Sequence, residues 1–115
     1  MAAAAKRLKP RVHRTPILTS RSIDDAVGAR VSFKCENLQR SGSFKYRGAM
    51  NAVLSIPPKE RRRGVATHSS GNHGAALAAV AQTLGVPATI VVPRDASPFK
   101  LAAIKRYGAR IVQCG

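Results

Sequence analysis

The chain has 115 residues and is 44% hydrophobic, enough for one modest domain with a small core, and no apolar run approaches the roughly 18 residues of a membrane-spanning helix. Twenty Lys and Arg against five acids give a formal net charge of +15, yet the basic residues are scattered. KERRRG at 59–64 is their tightest cluster. With no Trp and only two Tyr there is no stacking platform for bases, so a nucleic-acid-binding module stays an alternative rather than the main reading. The charge is read as a solvated surface, or as half of a larger protein whose other half is more acidic.

The opening MAAAAKRLKPRVHR is alanine-rich and basic with no acid. Transit peptides share that pattern, but the serine enrichment is missing and the segment runs directly into HRTPILTS. IDDAVG predicts a short helix with Ser22 as N-cap and Gly28 as its stop. RVSFKCE alternates as a strand, and SFKYRGAMNAVLSI predicts a helix closed by Pro57 and Pro58. GVATHS predicts a short strand. GNHGAALAAVAQTLG predicts a helix with Leu77, Val80 and Leu84 on one face and Gly85 at its end. VPATIVVP predicts a buried strand. SPFKLAAIKRYG predicts a helix capped by Ser97, with Pro98 in its first turn and Gly108 at the stop. ARIVQC begins another strand.

The second half therefore alternates strand, helix, strand, helix, strand. That order builds an α/β fold, an open parallel sheet with flanking helices. The chain stops just after a strand, which predicts one part of a larger α/β unit. Cys35 and Cys114 lie far apart without metal-type spacing. They are read as buried free thiols of a reducing compartment, and a cytoplasmic location is expected.

Two stretches carry chemistry. THSSGNHGAA, residues 67–76, falls where a strand hands over to a helix, the position at which open α/β sheets bind ligands. A helix N-terminus there offers unpaired N–H groups to a carboxylate or phosphate. Ser69, Ser70, Asn72 and His73 add short polar side chains, and Gly71 and Gly74 admit close approach. Plain N-capping by Ser70 or Asn72 is the competing reading. In SGSFKYRGA, residues 41–49, Lys45 stands at the mouth of a glycine-punctuated turn that opens a helix. A solvated lysine is the common case. A nucleophilic one must be desolvated or joined to a carbonyl. His13, His68 and His73 do not form a metal set, and the five acids do not complete a Ser–His–Asp triad.

HRTPILTS, FKCENLQRSGSFKYRGAMNAV, THSSGNHGAALA and IVVP followed by KLAAIKRYGARIV resemble, in order and spacing, the N-terminal part of the serine racemase and serine/threonine dehydratase family. Its members are fold-type II, tryptophan synthase β-like enzymes dependent on pyridoxal phosphate, and the resemblance runs from His13 to Cys114. It implies that residues 1–48 begin the large cofactor domain and that residues 49–115 form most of the small one. By the same resemblance, Lys45 holds the cofactor as an internal aldimine and moves protons at one face of the substrate Cα. Phe44 packs beside the cofactor, and Asn72 hydrogen-bonds its phenolic oxygen. Ser69, Ser70, Asn72 and His73 receive the substrate carboxylate.

Ser70 matches the acid or base of the opposite face, where biosynthetic threonine dehydratases usually have alanine. The implied activity is serine racemase with L-serine or L-threonine ammonia-lyase activity, on a small amino-acid substrate. Threonine dehydratase and a truncated, non-catalytic fragment are the alternatives. Of the residues aligned with the nucleotide site of animal serine racemases, Ser20 is unchanged, Arg40 and Ser41 are conservative replacements, and Arg21 and Ser22 depart. The family's phosphate loop and its divalent-metal (Mg or Ca) carboxylates are expected beyond Gly115, so no metal ligand is assigned here. A homodimer is the family's common assembly.

Overall fold

The computed structural model describes residues 1–115. In chain order it contains α1 (Ala2–Leu8), β1 (Ile17–Leu18), α2 (Arg21–Val27), β2 (Phe33–Lys34) and two 3-10 turns (Glu36–Leu38 and Arg40–Gly42). Then come α3 (Lys45–Ser55), α4 (Pro58–Arg61), β3 (Val65–His68), α5 (Asn72–Leu84), β4 (Ala88–Pro93), α6 (Pro98–Lys105) and β5 (Arg110–Cys114). β3, β4 and β5 form a parallel sheet with β4 in the middle, in register Val65↔Ala88 and Thr89↔Arg110. β1 and β2 form a separate antiparallel ladder with Leu18 opposite Phe33. No helix is long and apolar enough to cross a membrane.

The core lies between α3 and the parallel sheet, with α5 at its centre. α3 buries Tyr46, Ala49, Met50 and Val53, the i, i+3, i+4, i+7 stripe of a one-sided helix. α5 buries every residue from Gly74 to Ala81. A helix buried all round needs small side chains where neighbours press from both sides, and the alanines supply them. Ile90 and Val92 of β4 and Ile104 of α6 complete the cluster. α5 ends as its sequence predicts, with Gly85 in the left-handed conformation at φ 63°.

The second half matches its expected elements closely, while the first half departs in several places. RVSFKCE shrinks to a two-residue strand, and Cys35 opens a 3-10 turn instead of extending it. The run has no neighbouring sheet to join beyond the short β1, and alternation alone does not sustain a strand. Ser22 lies inside α2, and Ser20 takes the N-cap position. The thiols are not both buried: Cys114 is exposed and Cys35 half-buried. α1 and α4 were not expected from the sequence pattern. α4 begins at Pro58, because a proline that stops one helix is well suited to start the next.

Candidate functional site

Lys45 is the first residue of α3 and is exposed. The backbone before it turns sharply: Ser41 has φ 60° and Gly42 φ 72°. A non-glycine residue in that region costs about 1 kcal/mol, and here it is held by its surroundings. Gln39, almost fully buried, accepts from the N–H of His13 (2.9 Å) and of Arg40 (3.0 Å) through Oε1, and donates from Nε2 to the His13 carbonyl (2.9 Å). Arg47 donates to the same carbonyl (3.0 Å) and grips Glu36 with two bonds of 2.8 Å. Thr15 donates to Glu36 at 2.6 Å. The Arg47 guanidinium is the main cause that holds the Glu36 carboxyl down at about 2. This scaffold sets where α3 begins. Its members Gln39, Glu36, Arg47 and Thr15 went unnoticed in the sequence, because their partners are up to 34 residues away.

The Lys45 amine lies 5.1 Å from the centroid of the Phe44 ring, and Phe44 is itself 59% exposed. The one salt bridge of the chain is Arg47–Glu36, so no carboxylate neutralises Lys45. Ser43, two residues earlier, is buried, and its hydroxyl has no partner.

The 69–73 loop joins β3 to α5. Ser69 and Ser70 are half-buried, and Asn72 opens α5 exposed to solvent. Neither Ser70 nor Asn72 caps the helix: Gly71 is the N-cap, without a side-chain bond. Ser69 Oγ accepts from the Gly71 N–H at 3.3 Å, which leaves the first N–H groups of α5 free for an acceptor from outside. The loop folds tightly over the helix. A Cβ on Gly74 would sit 2.2 Å from the Ser69 carbonyl oxygen, so only glycine fits.

The residues singled out in the sequence fall on two sides of this loop. Ser70 and Asn72 line a cleft of about 160 Å³ with Phe99 and Lys100 of α6. His73 lines another of about 320 Å³, opposite Gly48 and Ala49 of α3. Lys45 lines neither, and it stands one helical turn before Gly48. Arg40 and Ser41 share a cleft of about 260 Å³ with Tyr46 and Tyr107, and Ser20 is not among its walls. Lys100 is the site neighbour that motif reading missed. Its only sequence signal is its position in the first turn of α6.

A carboxylate-free amine, an orphaned buried hydroxyl two residues before it in the chain, and open space over Gly42, Gly48 and Gly71 fit an aromatic aldehyde cofactor and an anionic substrate. Residues 8–115 match the family model described as pyridoxal-phosphate dependent enzyme.

The chain belongs to the pyridoxal-phosphate dependent enzyme family.

Among its relatives, the serine racemase of Arabidopsis thaliana is 50% identical over 109 residues, which is 95% of this chain and 33% of that protein. The L-threo-3-hydroxyaspartate ammonia-lyase of Saccharomyces cerevisiae is 52% identical over 110 residues, 96% of this chain and 34% of that protein. The structure of maize serine racemase superposes with a TM-score of 0.94 at 46% identity, covering 97% of this chain and 34% of that one. The chain thus spans about a third of the length of the curated relatives it matches, and its fold is that of fold-type II enzymes.

Proposed function

We propose that the chain supplies the lysine and the substrate-carboxylate loop of a pyridoxal-phosphate enzyme that racemises serine and eliminates ammonia from β-hydroxy amino acids. Residues 1–48 are assigned to its cofactor domain and 49–115 to its smaller domain; the two separate sheets fall one on each side of that boundary, which itself lies within α3. The observation that carries the reading is the Lys45 amine, free of any carboxylate and poised on the Phe44 ring at the start of a helix packed against α5. Serine and threonine are the expected substrates, and the Saccharomyces relative adds hydroxyaspartate. The function is exercised in the cytoplasm.

Lys45 would hold the cofactor through its amine, with Phe44 against the ring and Asn72 donating to its oxygen. When bound, the cofactor supplies an electron sink for the charge left at the substrate Cα. Lys45 holds or moves the proton on one face of that carbon. Ser70 does so on the other, which racemisation requires and elimination does not. The free N–H groups opening α5, with Ser69 and His73, bind the substrate carboxylate and offset its charge.

Borohydride reduction of the chain with pyridoxal phosphate, followed by peptide mass spectrometry, tests this reading. The pyridoxyl label is expected on Lys45 well above every other lysine, and Lys45→Ala is expected to leave only background. Labelling spread evenly over the lysines would overturn it. In the assembled enzyme, Ser70→Ala should abolish formation of D-serine, by roughly 100-fold or more, while pyruvate formation from L-serine persists.

A further inference from the structure

Ser70 is assigned a proton on one face of the substrate Cα, and a serine does not carry that task alone. An aliphatic hydroxyl gives up a proton, or recovers one, near neutral pH only when a neighbouring acid–base group exchanges it. The 69–73 loop supplies no such neighbour. Its one side-chain hydrogen bond is that of Ser69 Oγ with the Gly71 N–H, and Ser70 does not cap α5, so the Ser70 hydroxyl is uncommitted.

The surroundings reduce the choice to one residue. The cleft of about 160 Å³ at Ser70 is walled by glycine, alanine, the Phe99 ring and the Asn72 amide, none of which ionises, and by Lys100. It has room for about five waters at about 30 Å³ each, so an amine in its wall is within reach of the hydroxyl, directly or across a water. Ile104, four residues on from Lys100, is fully buried in the core. Positions four apart share one helix face, so Lys100 lies on the side of α6 that packs toward α5. The only ionisable residue of α5 is His73, which lines the other cleft. His68 ends β3, Arg94 and Asp95 lie in the turn before α6, and Arg110 and Cys114 belong to β5; none of them walls this cleft. Lys105 and Arg106 stand at the far end of α6. No carboxylate holds Lys100, because the chain's one salt bridge is Arg47–Glu36.

We propose that Lys100 is the proton partner of Ser70 in a Ser–Lys pair. When Ser70 takes the Cα proton, its own O–H proton passes to the Lys100 amine. When Ser70 delivers a proton to that face, the Lys100 ammonium replaces it. Lys100 is exposed, so water resets it, and no proton or electron is left unaccounted for. It touches no reacting carbon and is a positioning residue that acts through Ser70. The proposal rests on the role given to Ser70 above and not on that of Lys45.

The 115-residue chain, without pyridoxal phosphate, is treated with diisopropyl fluorophosphate between about pH 6 and 10, and the labelled serines are read by peptide mass spectrometry. Ser70 is expected to label at least about ten-fold faster than Ser69 and Ser97, at a rate that rises with pH. Lys100→Gln and Lys100→Arg should both bring it down to their level, since an arginine keeps the charge but does not release its proton. Lys105→Gln, the same loss of charge at the far end of α6, should leave the rate as it is. In the assembled holoenzyme, Lys100→Arg should lower the ratio of D-serine to pyruvate formed from L-serine by at least about ten-fold. Ser70 labelled no faster than Ser69, or a Lys100→Arg chain labelled as fast as the parent, would overturn the proposal. Fast labelling of Ser70 beside an unlabelled Lys45 supports the pair and refutes the Lys45 assignment, and the reverse pattern refutes the pair alone.

Discussion

Glu36 shows how a single residue holds the site together. Its two bonds to Arg47 and one from Thr15 tie the N-terminal segment to the start of α3. Its carboxyl is lowered from 4.5 to about 2, so its stabilising contribution is complete above pH 4.5. That contribution is lost as the pH falls from there towards 2. Glu36→Gln should cost about 1–2 kcal/mol in urea unfolding at pH 7, and it should flatten the pH dependence of stability in that acid window. A stability curve as steep as that of the parent would contradict the assignment. Gly71 of the loop and Gly74 in the first turn of α5 give a matched pair. Gly74→Ala should destabilise by about 1–3 kcal/mol, because the new Cβ meets the Ser69 carbonyl. Gly71→Ala should stay within about 0.5 kcal/mol, since nothing lies within 4 Å and its φ is −103°.

At the scale of elements, α5 does two jobs with one composition. Its alanines let α3 and the sheet close on it, and its bare N-terminus faces outward at the 69–73 loop. The packing between α3 and α5 therefore fixes the distance from the lysine helix to the carboxylate loop. Met50→Ala, at a fully buried position between them, should cost about 2–5 kcal/mol and loosen both sides of the site together. Reduced Lys45 labelling should accompany the drop in thermal midpoint. Gly85→Ala acts at the far end of α5. Its φ of 63° makes a loss of about 1 kcal/mol the expected result, with no change in labelling.

For the whole molecule, charge and shape act together. With +15 spread over a thin slab, self-repulsion opposes the fold, so raising salt from about 0.01 M to 0.15 M should raise the thermal midpoint. A midpoint that falls or stays level would mean that the basic residues are already compensated.

The sequence by itself determined the strand–helix alternation from Val65 to Cys114, the stops at Gly28 and Gly85, and the two motifs around Lys45 and Ser70. These are local: periodicity, a cap or a glycine acts within a few residues, so the pattern is legible without the fold. Tertiary structure alone decided that RVSFKCE keeps only two strand residues, and that Gln39 and Arg47 hold His13. It also set Ser70 and His73 in different clefts and brought Lys100 beside the loop. Each of these depends on a partner far along the chain, and whether a strand, a polar side chain or a cation finds one is settled by packing rather than by its neighbours in sequence.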